Sequence, residues 1–148
     1  MKTVLVHMLE DWGTLAEELL ATPAKEGLPL VITLSGDLGV GKTTFVQTLA
    51  RKLGVKEVVT SPTFTIMKQY DLPQDGRFSK LVHIDAYRID DPAEMVPLKG
   101  GEIFADAESV ICIEWPEKIA TVLPLVTYAI TIGLDIATGE RTVTINHD

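Results

Sequence analysis

The sequence holds one cysteine in 148 residues, Cys112. That excludes an intramolecular disulfide framework and any zinc site built from several cysteines. Cys112 sits in the apolar run Val110-Ile111-Cys112-Ile113 and reads as a small buried hydrophobe. Basic side chains are also scarce, 13 against 21 acidic, which sets the formal charge at −8. An autonomous nucleic-acid clamp needs a basic face to neutralise phosphates, so this balance argues against one. No apolar run approaches the roughly 18 residues that span a bilayer. Met1–His7 is short and soon followed by Glu10 and Asp11, unlike a secretory leader. Repeats, low-complexity tracts and long Pro/Gly/Ser linkers are missing as well. The expectation is one acidic domain over residues 1–148, in a reducing cytoplasm.

The apolar residues that are present fall into regular patterns. Lys2–His7 predicts a first strand. Trp12, Leu15, Ala16, Leu19 and Leu20 follow helical spacing after Asp11, a candidate N-cap, and Pro23 marks the stop. Leu30–Leu34 is a continuous apolar run, as expected of a strand covered on both faces. Phe45, Val46, Leu49, Ala50 and Leu53 form the stripe of a second helix that ends at Gly54. Thr63–Tyr70 and Ser79–Asp85 flank a turn with Pro73, Asp75 and Gly76 and predict a hairpin. Asp91–Ala107 is mixed, a short helix plus loop. Val110–Glu114 is a further buried strand, and Tyr128–Asp135 with Arg141–Asn146 predicts a second hairpin. Together these imply an α/β sandwich around a mixed sheet.

The sharpest signal is Gly36-Asp37-Leu38-Gly39-Val40-Gly41-Lys42-Thr43, a match to G-x-x-x-x-G-K-[ST]. It follows a predicted buried strand and opens a predicted helix, as phosphate binding requires. The glycines let successive N–H groups turn inward as an anion nest, and the helix start adds partial positive charge. Lys42 is the residue for the outer phosphates and the Thr43 hydroxyl the ligand for Mg²⁺. A chance match arises in roughly 0.5% of chains this long at average residue usage, and the strand–loop–helix context makes coincidence rarer still.

A cradle alone hydrolyses nothing; a carboxylate must sit near the metal and the attacking water must be oriented. Two apolar runs end in acids, Leu81–Asp85 and Val110–Glu114, and strand carboxyl ends are where α/β sheets bind ligands. Glu114 is the first choice for the metal and Asp85 for positioning water. The N-K-x-D and D-x-x-G sequences of GTPases are missing, with Asn146 the sole asparagine, which leaves ATP as the nucleotide. Arg51, Arg77, Arg88 and Arg141 are scattered and form no evident kinase lid. A small-molecule P-loop kinase and a non-hydrolytic nucleotide-dependent interaction module are the competing classes.

Four segments in series carry a family resemblance: Gly36–Thr44, Ser61-Pro62-Thr63-Phe64-Thr65, His83-Ile84-Asp85-Ala86-Tyr87-Arg88 and Glu114-Trp115-Pro116-Glu117. In order, spacing and length the chain resembles the TsaE (YjeE) family. The resemblance implies a P-loop NTPase-like three-layer sandwich and an ATPase, with ADP as product. It implies a supporting role in N6-threonylcarbamoylation of adenosine 37 of tRNA, alongside TsaB and TsaD. On this resemblance tRNA is met only indirectly, and the transfer itself is left to the partners.

Carried over, the phosphate loop covers Gly36, Asp37, Leu38, Gly39, Val40, Gly41, Lys42, Thr43 and Thr44. Asp85 becomes the functionally important aspartate and Glu114 the Mg²⁺-associated glutamate, beside Trp115. Ser61 and Thr63 resemble a switch that senses the γ-phosphate. Ala86, where the family more often has leucine, and Ile84 depart from the pattern without carrying chemistry. Trp115 either packs structurally or borders the nucleotide or a partner. Asp11 is read both as helix cap and as nucleotide contact, and Arg141 as a phosphate or partner contact or a surface residue. Arg88 has two readings, a transition-state or partner contact and a surface ion pair. His83 reads as a buried, hydrogen-bonded histidine.

Overall fold

Alternating apolar runs and amphipathic helices resolve, in a computed structural model, into a seven-stranded mixed sheet with helices on both faces. The structure describes residues 1–22, 25–74 and 76–147. Pro23, expected as a helix stop, and Asp75, expected in a turn, lie outside the described residues. In chain order the elements are β1 (Lys2–Val6), α1 (Leu9–Ala21), β2 (Leu30–Ser35), α2 (Lys42–Leu53), β3 (Met67–Asp71) and β4 (Lys80–Asp85). There follow α3 (Gly100–Ile103), β5 (Ser109–Glu114), β6 (Tyr128–Leu134) and β7 (Arg141–His147). Short 3₁₀ segments, Pro92–Met95 and Pro116–Val122, precede α3 and follow β5.

The strand order is β1-β7-β6-β2-β5-β4-β3. The β2/β5, β4/β5 and β2/β6 pairs are parallel, and the β3–β4 and β6–β7 hairpins add antiparallel edges, as the turn signals predict. Residues two apart share a face, which sorts the core into two layers. Leu30, Ile32, Leu34, Leu81 and Cys112 join α1 and α2 residues such as Leu15, Phe45 and Leu49 on one face. Val31, Val82, Ile84, Ile111 and Ile113 pack with Ile89, Met95 and Ile119 on the other. Covered on both sides, β5 is buried along its whole length, which is why its sequence shows no polar alternation. Ala86 and Ile84 are fully buried in the second layer, so their departure from the family pattern is a matter of packing.

Two expectations are corrected. The helix after β1 begins at Leu9 with Met8 in the cap position, so Asp11 is not the N-cap. Asp11 lies a turn inside, where its Oδ2 accepts the Met8 and His7 N–H groups at 3.0 and 2.8 Å. A carboxylate there satisfies donors that the first helical turn leaves free and faces the positive end of the helix dipole. These two bonds, the His7 one first, hold the Asp11 pKa below its ordinary value.

The second correction concerns the strand predicted over Thr63–Tyr70, which starts only at Met67. Residues 63–66 form a turn closed by the Ile66 N–H on the Pro62 carbonyl at 2.6 Å. Ile66 takes φ +69°, rare for a β-branched residue. Its carbonyl accepts the Asp85 N–H at 2.8 Å, which pins the turn against the carboxyl end of β4.

Candidate functional site

The carboxyl ends of β2, β4 and β5 meet the N-terminus of α2 around an open cleft of about 300 Å³. Its back wall is the loop between β2 and α2. Gly36 enters the loop at φ +145°, where a Cβ would stand 2.5 Å from the Ile132 carbonyl oxygen. Gly41 closes it at φ +118°, with a Cβ position 3.0 Å from the Trp12 ring. Glycine is therefore required at both ends of the loop. The Arg141 Nε–H, from the first residue of β7, donates to the Val40 carbonyl at 2.6 Å and braces the loop.

Lys42 is the first residue of α2 and is almost fully buried. Its ammonium donates to the Gly36 and Asp37 carbonyls at 2.5 and 2.8 Å and lies 4.2 Å from the centre of the Trp115 ring. Burial lowers the Lys42 pKa, opposed most strongly by the charge of Glu114 and then by that of Asp85. Trp115 adopts φ +59° directly after β5 and is anchored by its N–H on the Leu34 carbonyl at 3.2 Å. Tyr87 rests against it with ring centres 5.0 Å apart, so this indole borders the cleft as well as packing.

Asp85 and Glu114 form the floor, 4% and 3% exposed. Glu114 accepts the Thr43 hydroxyl, whose Oγ1 is 3.1 Å from both carboxylate oxygens, and contacts His83 Nε2 at 2.6 Å. Asp85 Oδ2 accepts the Ser61 and Thr63 hydroxyls, each at 3.1 Å, while its Oδ1 accepts the Tyr87 N–H at 3.0 Å. Ser61 Oγ and Thr63 Oγ1 also stand 2.7 Å apart, so their two hydroxyl protons are shared among the three contacts. Among the described residues neither carboxylate is paired with a lysine or arginine. Two buried carboxylates met by hydroxyls, the Tyr87 N–H and the His83 ring are an environment that suits an added cation.

The donor chemistry fits Mg²⁺. Thr43 and Glu114 offer hard oxygens side by side, and no group of three or more His, Cys, Asp or Glu side chains could hold a metal among the described residues. Mg²⁺ is commonly bound by one or two protein oxygens, with phosphate and water completing its shell. Cys112, buried beneath the floor, is no ligand, and burial pushes its thiol pKa up.

The structure thus brings Leu38, Gly39, Gly41, Lys42, Thr43, Thr44, Ser61, Thr63, Asp85, Glu114, Trp115 and Arg141 to one cleft. Asp11 is not among its lining residues, and its carboxylate is occupied at the start of α1. Arg88 stacks on the exposed Phe64 ring, 4.4 Å from its centre, and forms no ion pair among the described residues. Tyr87 was not singled out by sequence reasoning; its place after Asp85 in the His83–Arg88 segment was the available signal. The His83–Glu114 contact was likewise missed, because sequence separation hides a register between neighbouring strands.

Comparison with known proteins gives the family and the fold. The family model described as threonylcarbamoyl adenosine biosynthesis protein TsaE matches residues 6–143. A protein named tRNA threonylcarbamoyladenosine biosynthesis protein TsaE from Treponema pallidum is 38% identical over 135 residues, 90% of each chain. One of the same name from Aquifex aeolicus is 38% identical over 122 residues, 80% of this chain and 79% of that one. The crystal structure of Bacillus subtilis YdiB superposes with a TM-score of 0.75 at 30% identity, covering 99% of this chain and 84% of the other.

Proposed function

This chain belongs to the TsaE family, and from that premise we propose that it binds and hydrolyses ATP in support of N6-threonylcarbamoylation of adenosine 37 in tRNA. In this reading it is a single P-loop ATPase domain over residues 1–148 that works in the cytoplasm with TsaB and TsaD and leaves the transfer to them. The observation that carries the ATPase reading is the division of labour on the cleft floor. Glu114 is bonded to Thr43 and Asp85 to the Ser61–Thr63 turn, so one carboxylate serves the metal side and the other the water side.

The N–H groups of the Gly36–Thr44 loop and the start of α2 bind the phosphate chain. Lys42 exchanges the Gly36 and Asp37 carbonyls for phosphate oxygens. Thr43 and Glu114 would hold Mg²⁺, which when bound supplies charge neutralisation on the phosphates. Ser61 and Thr63 sense the γ-phosphate: bonding to its oxygens draws their hydroxyls from Asp85 Oδ2 and frees that oxygen to orient water. Attack by the water at the γ-phosphorus breaks the bond to the ADP oxygen and releases ADP and phosphate.

The arginines weigh against the kinase alternative, whose lid would clamp the transferring group. Arg77 donates to the Leu20 and Thr22 carbonyls and Arg51 to Thr48, while Arg88 lies on Phe64 and Arg141 braces the loop. Measuring phosphate release from ATP with and without TsaB and TsaD tests the proposal. Release that rises with the partners is the expected result. Tight ATP binding with no release under either condition would instead establish the non-hydrolytic module, and labelled phosphate appearing on a metabolite would establish a kinase.

A further inference from the structure

The chemistry above uses Glu114 and leaves unused the histidine bonded to it. His83 lies on β4 two residues before Asp85, with its side chain wholly buried. Its Nε2 stands 2.6 Å from Glu114 Oε2, nearer than the Thr43 hydroxyl at 3.1 Å. The register explains the reach: Asp85 is level with Glu114 and His83 with Cys112, so the imidazole extends forward to the carboxylate. His83 Nδ1 is buried without a partner among the described residues. A buried N–H without an acceptor is costly, which favours the tautomer whose proton is on Nε2 and donated to Glu114. Cys112 does not compete for the ring, because Nδ1 makes no bond to it.

Resting on the metal reading of Glu114, we infer that His83 is a positioning residue that fixes this carboxylate for Mg²⁺. The terminal torsion of a glutamate is broad, and the Thr43 hydroxyl alone, equidistant from both oxygens, does not choose between them. The Nε2–H does choose. It engages Oε2 and leaves Oε1, bonded only to Thr43, as the oxygen that would be available to the cation. Residues that orient a metal ligand in this way are worth about 10- to 100-fold in metal affinity.

The test is binding of a fluorescent ADP analogue with Mg²⁺ and with EDTA, for the wild type, His83→Gln and His83→Asn. The Gln amide nitrogen reaches about as far as imidazole Nε2, whereas the Asn amide stops near the level of Nδ1. The expected result is that His83→Asn loses at least about tenfold of the tightening due to Mg²⁺, with affinity in EDTA unchanged. His83→Gln should lose much less of that tightening than the about tenfold expected of His83→Asn. Unchanged Mg²⁺ dependence in His83→Asn overturns the inference, as does an equal loss in both variants or a loss confined to EDTA. If His83→Asn fails to fold, His83→Gln still decides, because retention of the Mg²⁺ gain supports the role and its loss overturns it. Glu114→Gln, measured in parallel, separates the two readings. An unaffected Mg²⁺ gain there overturns the metal role of Glu114 and that of His83 with it. A gain lost in Glu114→Gln but intact in His83→Asn overturns His83 alone.

Discussion

Asp85 and Glu114 are direct partners across the parallel β4/β5 pair, yet their carboxylates bond different segments of the chain. Glu114 bonds the Thr43 hydroxyl at the start of α2, and Asp85 bonds the Ser61 and Thr63 hydroxyls of the turn before β3. Adjacent buried carboxylates repel each other unless separate donors or a cation compensate them. The split of partners gives each acid its own donors.

Asp85→Asn keeps the side-chain shape but removes the charge that orients water. Turnover should fall about 10²-fold, with ATP affinity changed by far less. Single-turnover hydrolysis beside equilibrium binding checks this; equal losses in both would reassign Asp85 to structure or to the metal.

Thr43→Val removes the hydroxyl and preserves the branched shape. The tightening of nucleotide binding by Mg²⁺ should shrink at least about tenfold, the loss seen even for residues that only support a ligand. A titration with Mg²⁺ at fixed nucleotide concentration measures it, and an unaltered midpoint would refute the ligand assignment.

Lys42→Ala deletes the ammonium now seated on the Gly36 and Asp37 carbonyls. One charge-assisted hydrogen bond contributes about 1.5–3 kcal/mol, so nucleotide affinity should drop roughly 10- to 150-fold. Calorimetric titration with ADP is sufficient, and retained affinity would place the phosphates elsewhere.

Gly36→Ala and Gly39→Ala form a matched pair. Both positions have positive φ, +145° and +78°, but only at Gly36 does a Cβ collide with backbone, 2.5 Å from the Ile132 carbonyl oxygen. Gly39→Ala should cost about 1–2 kcal/mol for its left-handed conformation, and Gly36→Ala more, with loss of nucleotide binding. Urea denaturation of the two variants makes the comparison; equal midpoints would contradict the clash.

Asp11→Asn probes the start of α1 through pH. The folded Asp11 pKa is lowered from 3.8 by the His7 and Met8 N–H groups. Its stabilising contribution is therefore present above pH 3.8 and is lost as pH falls through the lowered folded value. The melting temperature of Asp11→Asn should lie below that of the wild type at neutral pH and approach it in acid. A constant gap across that range would show that the carboxylate charge is not what stabilises the helix.

Much of this was legible along the chain because it depends on neighbours in sequence. The phosphate loop, the stripe of α2 and its end at Gly54, and the hairpins follow from local periodicity and turn chemistry. The start of β3 did not, since Thr63–Ile66 is drawn into a turn by contacts with Asp85. Asp11 was misplaced by three residues within its helix because a carboxylate can cap from inside the first turn as well as from the cap itself.

The single cysteine by itself excluded an intramolecular disulfide framework and a zinc site of several cysteines, and the deficit of basic residues argued against an unaided nucleic-acid clamp. The sequence likewise determined that a glycine-rich turn carrying Lys42 and Thr43 joins a buried strand to a helix, because these residues are contiguous and the turn is local. Only the tertiary structure decided which carboxylate faces Thr43, that Ser61 and Thr63 converge on Asp85, and that His83 reaches Glu114. Those relations depend on how β4 aligns with β5 and where the turn before β3 is pinned. Strand register is a balance of core packing summed over the whole sheet, and no single segment contains it.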